Sequence, residues 1–444
     1  MGKKRKLTLF GKCTVTNSLA ISKLVYLANI LELPDENYIK KINRLIFNFI
    51  WNKTDRIKRN TMIGKIEDGG MGITDIESKF KALKASWVRK LENTDHCILS
   101  YLNSYVPKNI DFNYLAMTSE KRIENFEIIQ AMPLFYKQVF TCFNACKNIN
   151  DKLNIVHFIK QTIWSNEKFS YRGKSIYFPN WLKSNILYVK DLFTNNGVLK
   201  PSEDIMRILV NKNNWICEYK IIKSIFKRYE KKFDLTIIKH LTGGKLKSQP
   251  LNKHTTKDFY NIFVKKKFQV PVMQTKYKKE FNIAKSDWEK IYLNKVKLLQ
   301  DKKIAEFNYM LLNNILSNNY FTSKINKNTT RMCKTCKEEI ENSKHLILDC
   351  RNVQFIWKLV SNYVGFNIKW KHIVVGFFSV RNETTVVLNL LLSFVALKIY
   401  KYKMFCRLEY KEETFEGLLN NLKSAISQYS ETLSATQNTK QSSF

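Results

Sequence analysis

Cys333-Lys-Thr-Cys336-Lys-Glu-Glu-Ile-Glu-Asn-Ser-Lys-His345-Leu-Ile-Leu-Asp-Cys350 is the stretch around which the rest of the chain is organised. Two cysteines two residues apart, then a histidine and a cysteine across one short loop, offer three thiolates and an imidazole. Such a set closes the tetrahedron of a structural zinc ion and leaves no position for a catalytic water. The 331–337 turn is too small to bury anything, so ligation takes the place of a core there. The competing reading is a chance grouping of unpaired thiols and a surface histidine. The compact spacing favours zinc on Cys333, Cys336, His345 and Cys350. The flanks agree: Ile304, Phe307, Leu311 and Ile315 form one apolar helical stripe, and Phe355, Ile356 and Trp357 begin another.

The 444 residues leave room for two or three domains. An apolar share of 44% with 29 Phe and 8 Trp excludes a disordered chain. Only 13 Gly and 7 Pro, with no proline after Pro271, favour helix. The 75 Lys+Arg against 38 Asp+Glu give a formal charge of +37. A field of that sign concentrates polyanions, and each phosphate neutralised releases a counterion. RNA or DNA is therefore the expected partner, against the alternative of charge that only solubilises or reflects composition bias. Cys13, Cys97, Cys142, Cys146, Cys217 and Cys406 show no disulfide-framework spacing. The basic run at residues 3–6 is followed by too few apolar residues for a signal peptide. A reducing compartment, nucleus and/or cytoplasm, is expected, and no secretion. The longest apolar run, 386–397, is interrupted by Asn389 and Ser393 and too short to span a bilayer, so no membrane role is expected.

Residues 1–66 hold 14 Lys/Arg against 4 Asp/Glu. Ile21, Leu24, Val25 and Ala28 recur at helical spacing. Pro34 suits the start of a second helix, with Asp35 and Glu36 in its first turn and Tyr38, Ile42, Leu45, Ile46 and Phe49 on one face. The pair predicts a helical hairpin with basic outer faces, where Lys40, Lys41 and Arg44 are candidate phosphate contacts. Glu67-Asp-Gly-Gly-Met-Gly72 reads as a tight turn rather than a phosphate cradle, since no Lys-Ser/Thr follows. From Ile76 a helix carries Phe80, Leu83, Trp87 and Leu91. The middle is helical in rhythm, with rings at Phe126, Phe135, Tyr136 and Phe140. Cys142-x3-Cys146 reads as buried small residues, no histidine being near. Ser170-Tyr-Arg-Gly-Lys-Ser-Ile-Tyr-Phe-Pro179 with Trp181 is either a stacking surface for nucleotides or core packing.

Residues 212–279 hold 18 Lys/Arg against 4 Asp/Glu, a run that repels itself unless a polyanion neutralises it. Gly243-Gly244 and Pro250 mark a linker inside it, and Lys265, Lys266 and Lys267 are its first candidates for phosphate contacts. Residues 384–403 read as a helix buried on most sides. Phe415, Leu418, Leu419, Leu422, Ile426 and Tyr429 form a last stripe, and 434–444 read as a disordered tail.

The run Phe307-Asn-Tyr-Met-Leu-Leu-Asn-Asn-Ile315-Leu, then Asn319-Tyr-Phe321, Cys-x2-Cys, His345-Leu-Ile, Cys350 and Trp357, resembles the C-terminal end of LINE-type (non-LTR) retrotransposon polyproteins. There a cysteine–histidine motif follows the reverse transcriptase. The gap between Cys336 and His345 is longer than in the retroviral zinc knuckle, so that module's binding mode is not carried over. Leu9-Phe-Gly-Lys-Cys-Thr-Val-Thr-Asn-Ser18, the 46–51 segment and Gly69-Gly-Met-Gly-Ile73 resemble the thumb that follows the polymerase palm. In that family the thumb helps hold the template–primer duplex. The resemblance covers residues 1–95 and 290–405, with a weaker echo at Val189-Lys-Asp-Leu-Phe193 and Asn196-Gly197. It implies engagement of element RNA and target site, with the remainder of the reverse transcriptase as a partner.

A palm needs an aromatic-x-Asp-Asp site for two metal ions, and this sequence has no Asp-Asp pair. It has no P-loop, Gly-x-Ser-x-Gly elbow or His-Glu-x-x-His helix either. The family's N-terminal endonuclease is not found, so the chain is expected to be the C-terminal third of an element's product, without polymerase activity of its own. The expected fold is mainly α: a thumb-like helical bundle (1–98), a helical middle region (99–265), and a C-terminal domain (266–433) with a small zinc-stapled module at 331–352. The expected function is non-catalytic RNA or DNA binding. The alternatives are a helical scaffold of retroelement origin that binds an acidic partner, or a relic without function.

Overall fold

A computed structural model of the chain describes residues 7–52, 54–91, 101, 104–106, 114–115, 127–146, 158–159, 161–230, 254–326, 328–378, 382–409 and 411–427. Residues 3–6, Cys97, Phe126, the Gly243-Gly244 and Pro250 linker, Tyr429 and the 434–444 tail lie outside them. The fold is mainly helical, as the scarcity of glycine and proline implies. Among the described residues, the one sheet is an antiparallel pair of two-residue strands.

The chain forms two compact units, each discontinuous in sequence. One comprises Met1–Ser18, Arg44–Thr74 and Phe268–Phe444, the other Leu19–Asn43 and Asp75–Lys267. Of the three consecutive stretches expected, 1–98 is divided between the units, 99–265 falls within the second, and 266–433 falls in the first apart from Lys266 and Lys267. Contacts far apart in sequence build the first unit: the Leu9 N–H donates to Glu306 Oε1 at 2.6 Å, and Gln269 N–H to the Asn60 carbonyl at 3.1 Å.

In the second unit the hub is helix Ile76–Ser86, started by Asp75, whose carboxylate accepts the Ser78 N–H at 2.9 Å. It packs against helices Ser22–Ile30, Leu134–Asn144 and Thr256–Lys267. Contact on several sides explains why Ile76, Phe80, Ala82, Leu83 and Ala85 are all buried. Lys84 is buried with them. Its ammonium donates to the Ala28 carbonyl at 2.8 Å and to the Leu31 carbonyl, closing the C-terminal end of Ser22–Ile30. Burial lowers its pKa to about 8. Cys142 and Cys146 are core residues whose thiols burial pushes up to about 12. The segment around Ser170 resolves the same way. Arg172 and Gly173, both at positive φ, turn the hairpin of Ser170–Tyr171 and Lys174–Ser175, while the Phe169 and Trp181 rings are fully buried.

In the first unit the hub is helix Lys302–Leu312, capped by Asp301. Its predicted stripe is inside: Ile304, Phe307 and Leu311 are buried, and Ile315 just beyond the helix. It packs against Leu9–Val15, the π turn Leu293–Lys297, Trp370–Val374 and the long helix Glu383–Leu408. Lys295 is 0% exposed where these meet. Its ammonium donates to the Ile373 carbonyl and to Ser393 Oγ, both at 2.9 Å. Asn308 donates to the Lys295 carbonyl at 2.8 Å and to Ser393 Oγ at 3.1 Å. Asn389 pairs with both backbone groups of Phe377, each at 2.8 Å. The polar residues interrupting the apolar run are therefore interior ties.

By length and composition Glu383–Leu408 could cross a membrane, though 44% of its most apolar window is buried within the protein. Val386, Val387, Phe405 and Leu408 are exposed, so the helix is less enclosed than expected. Residues 67–72 form the expected tight turn. Gly69 and Gly72 sit at φ +86° and +66°, and a Cβ on Gly70 would lie 2.0 Å from the Gly64 carbonyl oxygen.

Helix Glu36–Trp51 corrects one expectation. Its buried residues are Ile46, Phe47 and Ile50, whereas Tyr38, Leu45 and Phe49 are exposed. Two faces one residue apart, about 100° around the axis, both satisfied the apolar spacing. The inner one is fixed by Lys12, which donates to the Ile50 carbonyl at 3.0 Å, and by Arg59, whose guanidinium lies 4.7 Å from the Phe47 ring centroid.

Burial lowers the Lys295 pKa to about 7, below its ordinary 10.5. Between those pH values the unfolded chain holds a proton that the folded chain does not, so this residue's contribution makes stability rise with pH across the window. Urea midpoints at pH 7 and pH 10 should show that rise in the wild type and a smaller one in Lys295→Met. Equal rises in both would refute it.

Candidate metal centre

The backbone brings the four candidate ligands together from two short segments. Met332 and Ile340 bridge antiparallel, and the Cys333 N–H donates to the Glu339 carbonyl at 2.8 Å. Lys337, at φ +59°, reverses the chain, and its N–H returns to the Cys333 carbonyl at 3.0 Å. Opposite, His345–Asp349 is a single π turn, closed by the Cys350 N–H on the His345 carbonyl at 3.0 Å. Cys350 then starts helix Arg351–Val364. The Trp357 indole N–H donates to the Ile347 carbonyl at 2.6 Å and fastens the π turn to that helix.

One donor atom from each of Cys333, Cys336, His345 and Cys350 lies within 4.8 Å of the others. Cys333 Sγ and Cys350 Sγ are 3.9 Å apart, and Cys336 Sγ is 3.4 Å from His345 Nε2. Zinc–sulfur bonds of about 2.3 Å in a tetrahedron put the sulfurs about 3.7 Å apart, so the set can hold a metal ion and is compatible with zinc. A disulfide would need about 2.05 Å. Cys333, His345 and Cys350 are buried, and Cys336 is partly exposed. His345 Nδ1 lies 2.9 Å from Glu339 Oε2. A carboxylate on that nitrogen fixes the ring and leaves Nε2 for the ion.

Charge is arranged to suit thiolates. The hydrogen bond between the two thiols pulls the Cys333 pKa down and pushes that of Cys350 up. His345 is pushed up to about 9, first by its hydrogen bond to the Cys333 sulfur. Buried Lys403, from Glu383–Leu408, favours the thiolate at both sulfurs and pairs with Glu413 at 3.3 Å. Thr335, between the first two cysteines, also donates to Glu413. Metal binding must displace the remaining protons, so affinity falls as pH falls.

The cations singled out in the sequence fare unevenly. Lys265 is exposed and has no ion pair among the described residues, but Lys266 donates to the Ala145 carbonyl at 2.6 Å. Lys267 bridges Asp75 and Glu77, each at 2.7 Å, which makes it a structural cation. Lys40 pairs with Glu36 at 2.9 Å on the surface, and Lys41 and Arg44 are exposed on the same helix. Glu339 and Lys403 were not singled out in the sequence, because no spacing rule ties a carboxylate or a distant lysine to a ligand set. Lys295 and Ser393 lie at the separation of a base and a nucleophile. However, the Ser393 hydroxyl donates to the Asn389 carbonyl at 2.6 Å and both residues are buried, so the pair ties the core.

Two outcomes are expected. Glu339→Gln should weaken metal affinity about 10- to 100-fold in competition with a chromophoric chelator, and an unchanged affinity would rule out its orienting role. Lys267→Gln should cost about 1–2 kcal/mol in urea unfolding, because Asp75 and Glu77 lose a shared charged donor. Compared with known proteins, the sequence matches no protein-family model and no curated protein.

Proposed function

We propose that the chain is the non-catalytic, nucleic-acid-binding C-terminal portion of a LINE-type reverse transcriptase, with a structural zinc ion on Cys333, Cys336, His345 and Cys350. The observation that carries the reading is the convergence of those four donors at the motif on which the resemblance rests, within a chain of formal charge +37. Thiolates with imidazole suit zinc among the common biological ions. Four protein ligands leave no open position, so the ion shapes the module and performs no chemistry. Lysines and arginines would hold phosphates, and aromatic rings would stack on unpaired bases. With no Asp-Asp pair, the chain is expected to give no templated product in primer extension.

A second reading, a helical scaffold for a protein partner, is favoured by one feature. Tyr26, Leu27 and Ile30 on Ser22–Ile30, with Tyr38 on the next helix, leave apolar side chains exposed.

A salt-titrated oligonucleotide binding curve separates the two. Phosphate contacts give a log–log slope of about −0.7 per contact on single strands and about −0.9 on duplex, whereas no binding at low salt would remove the nucleic-acid reading. Elemental analysis should find one zinc per chain, lost in Cys333→Ser together with local order. A metal-free wild type that is fully folded would remove the zinc.

A further inference from the structure

Beside the metal centre an exposed aromatic ring stands among cations. Tyr320, on helix Asn319–Ile325, is 38% exposed, and Lys324 Nζ lies 4.2 Å from its ring centroid. Arg331, at the entry to the cysteine turn, and Lys276, on helix Val272–Phe281, are close enough to act on the phenol by charge. With Lys324 the strongest influence, these cations hold the phenol below its ordinary pKa. All three cations are exposed, and none is in an ion pair among the described residues.

The mounting is rigid. Asn319 N–H donates to Glu341 Oε1 at 2.9 Å and Tyr320 N–H to the Glu341 carbonyl at 3.1 Å. Glu341 N–H returns to the Arg331 carbonyl at 2.9 Å, and the Asn319 amide donates to the Met332 carbonyl at 2.8 Å. Glu341 is itself buried and paired with Arg407 at 2.5 Å. The ring and Arg331 are therefore both tied to one fixed residue.

We propose that Tyr320, Lys324, Arg331 and Lys276 form a site for an unpaired nucleotide of single-stranded nucleic acid, with the base stacked on the Tyr320 ring and the flanking phosphates held by the three cations. The proposal rests on the nucleic-acid reading above and adds where the strand binds and in which form. An acidic peptide would use the cations alone. A ligand carrying both a flat ring and a phosphate uses the tyrosine as well. Duplex bases are already stacked on one another and gain little from it.

The test is fluorescence anisotropy of the full chain with a short labelled oligo(dT) strand and with a blunt duplex. Tyr320→Ala should weaken single-strand binding about tenfold and duplex binding by less than about twofold, while Tyr320→Phe keeps both. Lys324→Gln and Arg331→Gln should each flatten the single-strand salt slope by about 0.7. Unchanged metal content and melting of Tyr320→Ala show that the fold is intact, and exposed Lys324→Gln is an independent second probe. If the wild type binds the strand and neither Tyr320→Ala nor Lys324→Gln differs from it, the site is wrong while nucleic-acid binding stands. If the wild type binds neither strand nor duplex, both readings fall. Displacement of the strand by poly-glutamate at matched charge would also overturn the site.

Discussion

Three sulfurs and one imidazole nitrogen lie within 4.8 Å of one another in the C-terminal module, and the structure around them keeps them there. The segments that carry them are too short to bury a core of their own, so each is held from outside. Glu339 holds the histidine ring, Trp357 holds the π turn, and Asn319 holds the strand at Met332. Charge follows the same logic. Buried Lys403 favours thiolates at Cys333 and Cys350 and is itself paired with Glu413 at 3.3 Å. A buried ammonium is costly unless it is paired, and Glu413 is the carboxylate that pairs with this one.

The two units show a related economy. Lys84 in one unit and Lys295 in the other are fully buried, and each reaches backbone carbonyls, not carboxylates. Burial favours the neutral amine, which explains why both are lowered. Lys84 closes the exposed end of a neighbouring helix, and Lys295 joins Ile373 and Ser393 to the π turn it sits on. In both cases a long flexible side chain satisfies carbonyls that the local backbone leaves open.

What was legible in the sequence was local. The Cys333-x2-Cys336 spacing, the stripe on Lys302–Leu312 and the scarcity of glycine and proline each predict a feature within a few turns of chain, and the helical fold, the grouped donors and the buried stripe all follow. What was not legible depends on distance. Lys267 looked like part of a free basic cluster because its partners, Asp75 and Glu77, lie 192 and 190 residues away. On Glu36–Trp51 two apolar faces competed, and the one turned inward, with Phe47 and Ile50, meets residues from other segments such as Arg59 and Lys12. The ring segment at 170–181 left stacking and packing open, and the burial of Phe169 and Trp181 decides for packing.

The π turn at His345–Asp349 makes ligand geometry a matter of counting. Its closing bond spans five residues where an α turn spans four, so His345 and Cys350 are kept in phase by one surplus residue. Removing any one of residues 346–349 would let the turn relax to ordinary helix and swing His345 about 100° around the axis, away from the sulfurs. Apolar exchanges at buried Leu346 and Ile347, and most substitutions at half-buried Leu348 and Asp349, would leave the register alone. The 345–350 interval should therefore tolerate drift in composition far better than change in length.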